Sequence, residues 1–302
     1  MTAMGGLRWL TSTLLSWRIW GFSLVCLAPA QQAVSYDQMP KSVIALATNM
    51  RPMVVAHRGR LEPSELENCL SQFQATVGAG PFMLEMDLRR SHDGHVYLMH
   101  DPTLDRTTDE HGPIDAKSSL QLAKVRLRYP NGRIGSETIP EFAAVLKWAA
   151  ERQDVYLMLD LKNVDPGEVV AMVRKAGLQD RVILLTFDSD LAKRTLAVTD
   201  HETVSVLVKT KEDISKYAQM RGQKPLALYL PQDADPSLFR IANAAKHLVI
   251  TDAVTLDGAT NIDAQAERNG PLAYKTYLAT HPAAVFVTNY PREAERALAS
   301  NP

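Results

Sequence analysis

From about residue 50 onward, short apolar runs alternate with segments whose apolar residues recur at helical spacing. The runs predict strands over 53–56, 83–88, 155–161, 182–186, 204–208, 226–230, 248–251 and 285–288. Most are continuously apolar, as parallel strands buried on both faces are. Between them, 64–77, 139–152, 166–176 and 189–198 read as amphipathic helices, with Pro140 and Glu141 suited to a first turn and Gly177 closing the third. Eight strands separated by crossover-length segments predict an α/β fold, a (β/α)8 or TIM barrel, rather than an open sheet.

One run breaks the alternation. Residues 96–99 follow the second strand after a turn containing Asp93-Gly94, too short for a parallel crossover. They predict the return arm of a hairpin that brings His100 and Asp101 to the barrel rim. Residues 102–135, rich in Asp, Thr and Gly, predict a loop excursion, so the barrel is expected to be distorted here.

The first 30 residues differ from the rest. Arg8 and Arg18 are their only charges, residues 19–27 form a short apolar core, and Ala28-Pro29-Ala30 offers small residues before Gln31-Gln32. This layout predicts a signal peptide over 1–30 and an exported protein, periplasmic or secreted; the alternative is an N-terminal membrane anchor, which Arg18 opposes. A lead-in over 31–50 would then precede a barrel domain over 51–302. Cleavage would leave Cys69 as the only cysteine and no intramolecular disulfide. With 33 basic against 34 acidic residues and no basic tract, nucleic acid is not an expected partner.

Candidate chemistry collects at the predicted strand ends. Glu85 and Asp87 lie two apart on a strand, so their side chains leave one face. Buried carboxylates need neutralising, and a hard divalent cation, Mg²⁺ or Ca²⁺, does so with oxygen ligands. Ion pairing to Arg89 and Arg90 would serve the same need. Asp160 and Lys162 repeat the spacing on the next barrel strand: a third ligand and a phosphate contact, or a self-contained ion pair. His57 and His100 each end an apolar run, and two imidazoles can divide the work of taking and giving a proton. With Arg58 as a positive charge for phosphate, the set suits metal-assisted attack on a phosphodiester.

The ordered blocks His57-Arg58-Gly59, Glu67-Asn68, Glu85-Met86-Asp87, Asp93-Gly94 and the run from His100 to Thr108 resemble the glycerophosphodiester phosphodiesterase family. Weaker similarity continues through Ile139-Pro140, residues 159–162, Thr186-Phe187-Asp188 and residues 287–291. The resemblance implies a distorted TIM barrel, one bound divalent cation, and hydrolysis of glycerophosphodiesters to an alcohol and glycerol 3-phosphate. It also implies that His57 and His100 are the acid–base pair, Arg58 a phosphate contact, and Glu85 and Asp87 metal ligands. Asp160 and Lys162 fall on the usual Glu-x-Lys, with an aspartate one methylene shorter than the glutamate.

Three further departures are Glu65-Leu66 where a Pro-containing turn is usual, Asn289 in place of a common aspartate, and Ile250-Thr251-Asp252-Ala253 in place of Trp-Thr-Val-Asn. In the family the strand of this last departure often lines the substrate pocket, so it bears on headgroup choice more than on the reaction. The expected partner is therefore a small-molecule or lysolipid phosphodiester, with transient membrane-surface contact for the latter. Two alternatives stay open: a phospholipase D of the sphingomyelinase type, acting on lysophospholipid or sphingolipid, and a non-catalytic barrel that binds phosphoryl ligands.

Overall fold

A computed structural model describes residues 41–48, 51–254 and 260–299. The segment expected to be a signal peptide or anchor, and most of the lead-in, lie outside the described residues. Among the described residues, no helix is long and apolar enough to cross a membrane.

The strands in chain order are β1 (Met53–Ala56), β2 (Met83–Arg90), β3 (Val96–Leu98), β4 (Arg126–Arg128), β5 (Ile134–Thr138), β6 (Leu157–Leu161), β7 (Val182–Thr186), β8 (Thr203–Leu207), β9 (Leu226–Tyr229), β10 (Leu248–Asp252) and β11 (Val285–Thr288). Eight of them pair in parallel in the order β1-β11-β10-β9-β8-β7-β6-β2, and β1 also pairs with β2, which closes the sheet into a barrel. The predicted TIM barrel is thus the fold. The hairpin is there as well: β3 runs antiparallel to the end of β2, with Leu88 opposite Leu98.

Alternation along the strands explains why they read as unbroken apolar runs. On β2, Met83 faces the barrel interior, while Leu84, Met86 and Leu88 pack outward against the surrounding helices. On β6, Met158 faces in while Leu157, Leu159 and Leu161 face out. The interior core also takes in Val43 and Leu46 of the turn Val43–Thr48, beside the strand-start residues Met53, Leu248 and Val285. The lower end of the barrel is therefore filled with apolar side chains, and polar groups are left to the carboxyl ends of the strands.

Two local expectations change. The first helix starts later than 64, at α1 (Leu70–Ala79), because Asn68 adopts a left-handed backbone (φ 51°) that ends any helix there. Residues 102–135 are an ordered subdomain rather than a loop: a 3-10 turn at Ile114–Ala116, α2 (Ser119–Leu122) and the antiparallel pair β4–β5. Leu104, Ile114, Leu122, Val125 and Leu127 of this segment, all buried, pack in one apolar cluster with Leu66, Cys69, Tyr97, Met99 and Ile139. In sequence the frequent polar residues masked these well-spaced apolar anchors.

The turn after β1 depends on one glycine. Gly59 has φ +69°, and a Cβ there would lie 2.0 Å from the Phe73 ring of α1. Only glycine satisfies both the backbone and the close approach of the helix. Replacing it with alanine (Gly59→Ala) should destabilise the fold by about 2–4 kcal/mol through left-handed strain and overpacking. Urea denaturation would show this as a lower midpoint, and an unchanged midpoint would contradict it.

Candidate active site

The polar end of the barrel is built chiefly from β1, β2 and β6. Asp87 and Asp160 are direct partners across the β2–β6 ladder, and Glu85 lies two residues below Asp87 on the same face. Register therefore puts oxygens of Glu85, Asp87 and Asp160 within 4.8 Å of one another. All three are buried, at 4%, 1% and 7% exposure. Burial, then repulsion from Asp87 and Asp160, pushes the Glu85 carboxyl well above its ordinary range. Burial also raises Asp160, although Lys162 works in the opposite direction.

Each acid has a specific partner. Arg58 donates its backbone N–H to Glu85 Oε2 at 2.6 Å. Asn68 Nδ2 donates to Asp87 Oδ2 at 2.9 Å, and its Oδ1 accepts from the Asp87 N–H at 3.1 Å. Lys162 Nζ lies 2.5 Å from Asp160 Oδ2 and 3.4 Å from Asp87 Oδ1. The ion pair left open by the sequence is present, and it spans two of the three acids. Among the described residues, neither Arg89 nor Arg90 makes an ion-pair contact with Glu85 or Asp87, although the Asp87 charge acts on Arg89. Arg89 donates from Nε and Nη2 to the His100 carbonyl at 2.9 and 2.7 Å, and the half-exposed Arg90 lies 3.7 Å from Glu168. Arg89 shares the face of Glu85 and Asp87 but is spent on that carbonyl, while strand alternation turns Arg90 to the other face.

His57, Glu85, Asp87, His100, Asp160 and Lys162 line one side of a cavity of about 290 Å³. Leu185, Phe187, Tyr229, Val254 and Val287 line the other, and Met158 lies beside Glu85 on β6. His57 Nδ1 lies 2.9 Å from Asn289 Oδ1, so a proton on Nδ1 is donated to the amide oxygen and Nε2 keeps its lone pair. Burial, followed by the Arg58 charge, pushes the His57 imidazole down to about 4. His100 is more open and points Nδ1 at Asp101 Oδ1, 2.6 Å away. Arg106 and His100 outweigh burial and hold the Asp101 carboxyl below its usual range.

Arg58 stands outside the cavity lining. Its Nη1 donates to both oxygens of Glu67 at 3.0 Å, while its buried Nε has no hydrogen-bond partner among the described residues and lies 4.0 Å from Asp87 Oδ2. Arg106 makes a second two-point contact with Glu67, at 2.7 and 3.0 Å, and also grips Asp101. An unbroken series of contacts thus joins His100, Asp101, Arg106, Glu67 and Arg58.

Several participants carried no assigned role in the sequence. Glu67 and Asn68 fell in a matching block, but their partners are set by the turn after β1. Asn289 stood out only as a departure. Asp263 is the buried support of that strand end: it accepts from Thr288 Oγ1 at 2.5 Å, the Asn289 N–H at 2.8 Å and Tyr274 OH at 3.0 Å. Nothing local in the sequence marks it apart from other helical aspartates.

The model of the glycerophosphoryl diester phosphodiesterase family matches residues 57–227, more than half of the chain. The chain belongs to this family. As a member it is a phosphodiesterase, and the family chemistry is hydrolysis of glycerophosphodiesters. It is similar to the glycerophosphodiester phosphodiesterase of Caldanaerobacter subterraneus, 24% identical over 165 residues, covering 52% of this chain and 67% of that protein. Mouse glycerophosphodiester phosphodiesterase 1 is 30% identical over 136 residues, 43% of this chain and 40% of that one.

Solved structures agree on the fold. A glycerophosphoryl diester phosphodiesterase from Parabacteroides distasonis aligns with a TM-score of 0.72 and 22% identity, over 84% of this chain and 89% of that one. An Oleispira antarctica phosphodiesterase, solved with the product sn-glycerol-3-phosphate, aligns with a TM-score of 0.66 and 20% identity, over 84% and 99%.

Glu67 links the site to stability. Burial opposes its ionisation, but Arg106, Arg58 and Arg60 together outweigh burial and hold its carboxyl down from 4.5 to about 2. That fall corresponds to about 3 kcal/mol of folding free energy. Because the folded-state value lies below the ordinary one, the stabilisation is complete above pH 4.5 and is lost as pH falls towards 2. The Glu67→Gln protein should lose about 3 kcal/mol at pH 7 and show a weaker acid dependence of stability. Denaturant titrations at stepped pH would test this, and parallel pH profiles for the two proteins would refute it.

Proposed function

We propose that the protein hydrolyses glycerophosphodiesters in a metal-dependent reaction, with His57 and His100 as the acid–base pair and Glu85, Asp87 and Asp160 as ligands of one divalent cation. The observation that carries this reading is the clustering of three buried carboxylates beside two cavity-lining imidazoles. The donor set fits a hard cation: all the ligand atoms are carboxylate oxygens, which favours Mg²⁺ or Ca²⁺ over a softer metal. Burial, and then its acidic neighbours, displace the Glu85 carboxyl upward, and added positive charge relieves the repulsion. Once bound, the cation supplies Lewis-acid polarisation of the phosphoryl group and acidifies a substrate hydroxyl.

The side chains then divide the remaining work. His57, neutral at pH 7, accepts the proton of the glycerol 2-hydroxyl as its oxygen bonds to phosphorus. His100, oriented through Nδ1 by the Asp101 carboxylate, gives a proton to the departing alcohol oxygen as its bond to phosphorus breaks. Arg58 and Lys162 offset charge on the remaining phosphoryl oxygens. In the second half, water adds to the cyclic phosphate and loses a proton to His100, while His57 returns its proton to the ring-opening oxygen. The product is glycerol 3-phosphate. Direct attack by water would use the same groups in one step.

Export through residues 1–30, with the barrel domain over 51–302 as the working unit, remains part of this reading. It rests on the charge and apolar pattern of the N-terminal segment.

Release of glycerol 3-phosphate from a glycerophosphodiester should require Mg²⁺ or Ca²⁺ and stop on chelation. His57→Ala and His100→Ala should each lower kcat by about 10²–10⁴-fold with the fold intact. Turnover that survives chelator, or a folded histidine variant with near-full activity, would overturn the assignment. Release of a lipid phosphate or cyclic lipid phosphate instead would move the protein to the phospholipase D class.

A further inference from the structure

The cavity has two unlike halves, and the proposed chemistry uses only one. Its charged residues, among those described, are His57, Glu85, Asp87, His100, Asp160 and Lys162, all on the reaction side. The facing wall comes from the ends of β7, β9 and β11 and the residues following β10. Leu185, Val254 and Val287 have only hydrocarbon side chains. Phe187 and Tyr229 meet edge to face, with ring centroids 5.2 Å apart and planes at 80°.

Among the described residues, the one hydroxyl on this wall is already committed. Tyr229 OH donates to Asp252 Oδ2 at 2.9 Å, and Asp252 also accepts from the Val254 N–H at 2.8 Å and from Gln232 Nε2 at 3.5 Å. Gln232 in turn accepts from the Ile262 N–H at 2.9 Å. Asp252 has no exposed surface, so its carboxylate braces Tyr229 from behind instead of facing the cavity. This is the strand end at which the chain departs from the usual family text. Phe187, by contrast, keeps 40% of its surface exposed at the cavity mouth.

We propose that this wall receives hydrocarbon of the departing alcohol, so that the preferred substrates are glycerophosphodiesters whose alcohol carries an alkyl chain. The inference rests on the hydrolytic reading above and deepens it. Among the described residues, a polyol headgroup would leave water for a surface with no uncommitted donor or acceptor, and an ammonium would find no carboxylate on it. An alkyl chain would instead cover Leu185, Val287 and the exposed Phe187 ring, gaining contact at no polar cost. The rival occupant is a quaternary ammonium held on the two aromatic faces, a contact that depends on ring geometry.

The full chain, assayed with Mg²⁺ and in parallel with Ca²⁺, would be given glycerophosphoethanol, glycerophosphobutanol, glycerophosphohexanol, glycerophosphoethanolamine and glycerophosphocholine. Glycerol 3-phosphate release should show kcat/KM rising roughly threefold per added methylene in the alkyl series. Phe187→Ala, a change at the cavity mouth, should shrink the hexyl-to-ethyl ratio within one protein. A flat or falling series, or choline preferred to hexyl, overturns the inference and leaves diester hydrolysis standing. A Phe187→Ala protein with the parental ratio also overturns it. If no diester releases glycerol 3-phosphate under either cation, both the inference and the hydrolytic reading fall.

Discussion

Repulsion among Glu85, Asp87 and Asp160 is the constraint around which the polar end of the barrel is organised. Two of them are neighbours across a parallel ladder and the third is one strand repeat away, so the backbone itself forces their oxygens together. The protein answers with positive charge and hydrogen-bond donors from outside the strands: the Arg58 backbone on Glu85, Asn68 on Asp87, and Lys162 between Asp87 and Asp160. These contacts leave Glu85 the least satisfied of the three as an anion. Under the proposed function, cation binding completes what the protein's own donors begin.

The same constraint explains the shape of the turn after β1. Delivering the Arg58 N–H to Glu85 requires a positive φ at Arg58 (55°) followed by another at Gly59. Asn68, also at positive φ, donates its own N–H to the Arg58 carbonyl at 2.9 Å while its side chain holds Asp87. Two strained non-glycine residues therefore support each other across the site, a cost that persists only because the acids reward it. Glu67, next to Asn68, gathers Arg58, Arg60 and Arg106 and so ties this turn to the segment after β3. The ordered subdomain over 102–135 contributes here, because its buried apolar cluster anchors the residues flanking Arg106.

Much of this was legible from hydrophobic spacing. The runs at 53–56, 182–186 and 285–288 are strands with those bounds, and the hairpin followed from a turn too short for any crossover. The acidic pair on β2 and the Asp–Lys pair on β6 were readable because a charge inside a buried strand has few innocent explanations. What stayed hidden depends on contacts distant in sequence. The spacing of Asn289 from His57, of Asp263 from Asn289 and of Asp252 from Tyr229 follows no local period, and only the tertiary fold brings them together. The late start of α1 was hidden for a related reason: apolar spacing from residue 64 fits a helix, but Asn68 takes a left-handed conformation to serve Asp87.

Closure of the barrel also produces the asymmetry of its mouth. Charge enters on β2 and β6, which are adjacent, so the electrostatic half of the cavity is confined to one arc. The opposite arc is supplied by β7, β9, β10 and β11, whose inward positions are apolar or have their polar atoms tied up behind the wall. Asp252 shows how this is achieved: a carboxylate near the strand end, where it could have met a ligand, is instead turned onto Tyr229, Gln232 and the Val254 N–H. Burying that acid costs free energy that only its hydrogen bonds offset, and the return is a rigid aromatic surface at a fixed place beside the acids. A phosphodiester has two ester arms, and a mouth with one ionic arc and one apolar arc distinguishes them. The arm that stays must satisfy hydroxyls near the carboxylates, and the arm that leaves meets a wall that rewards only hydrocarbon.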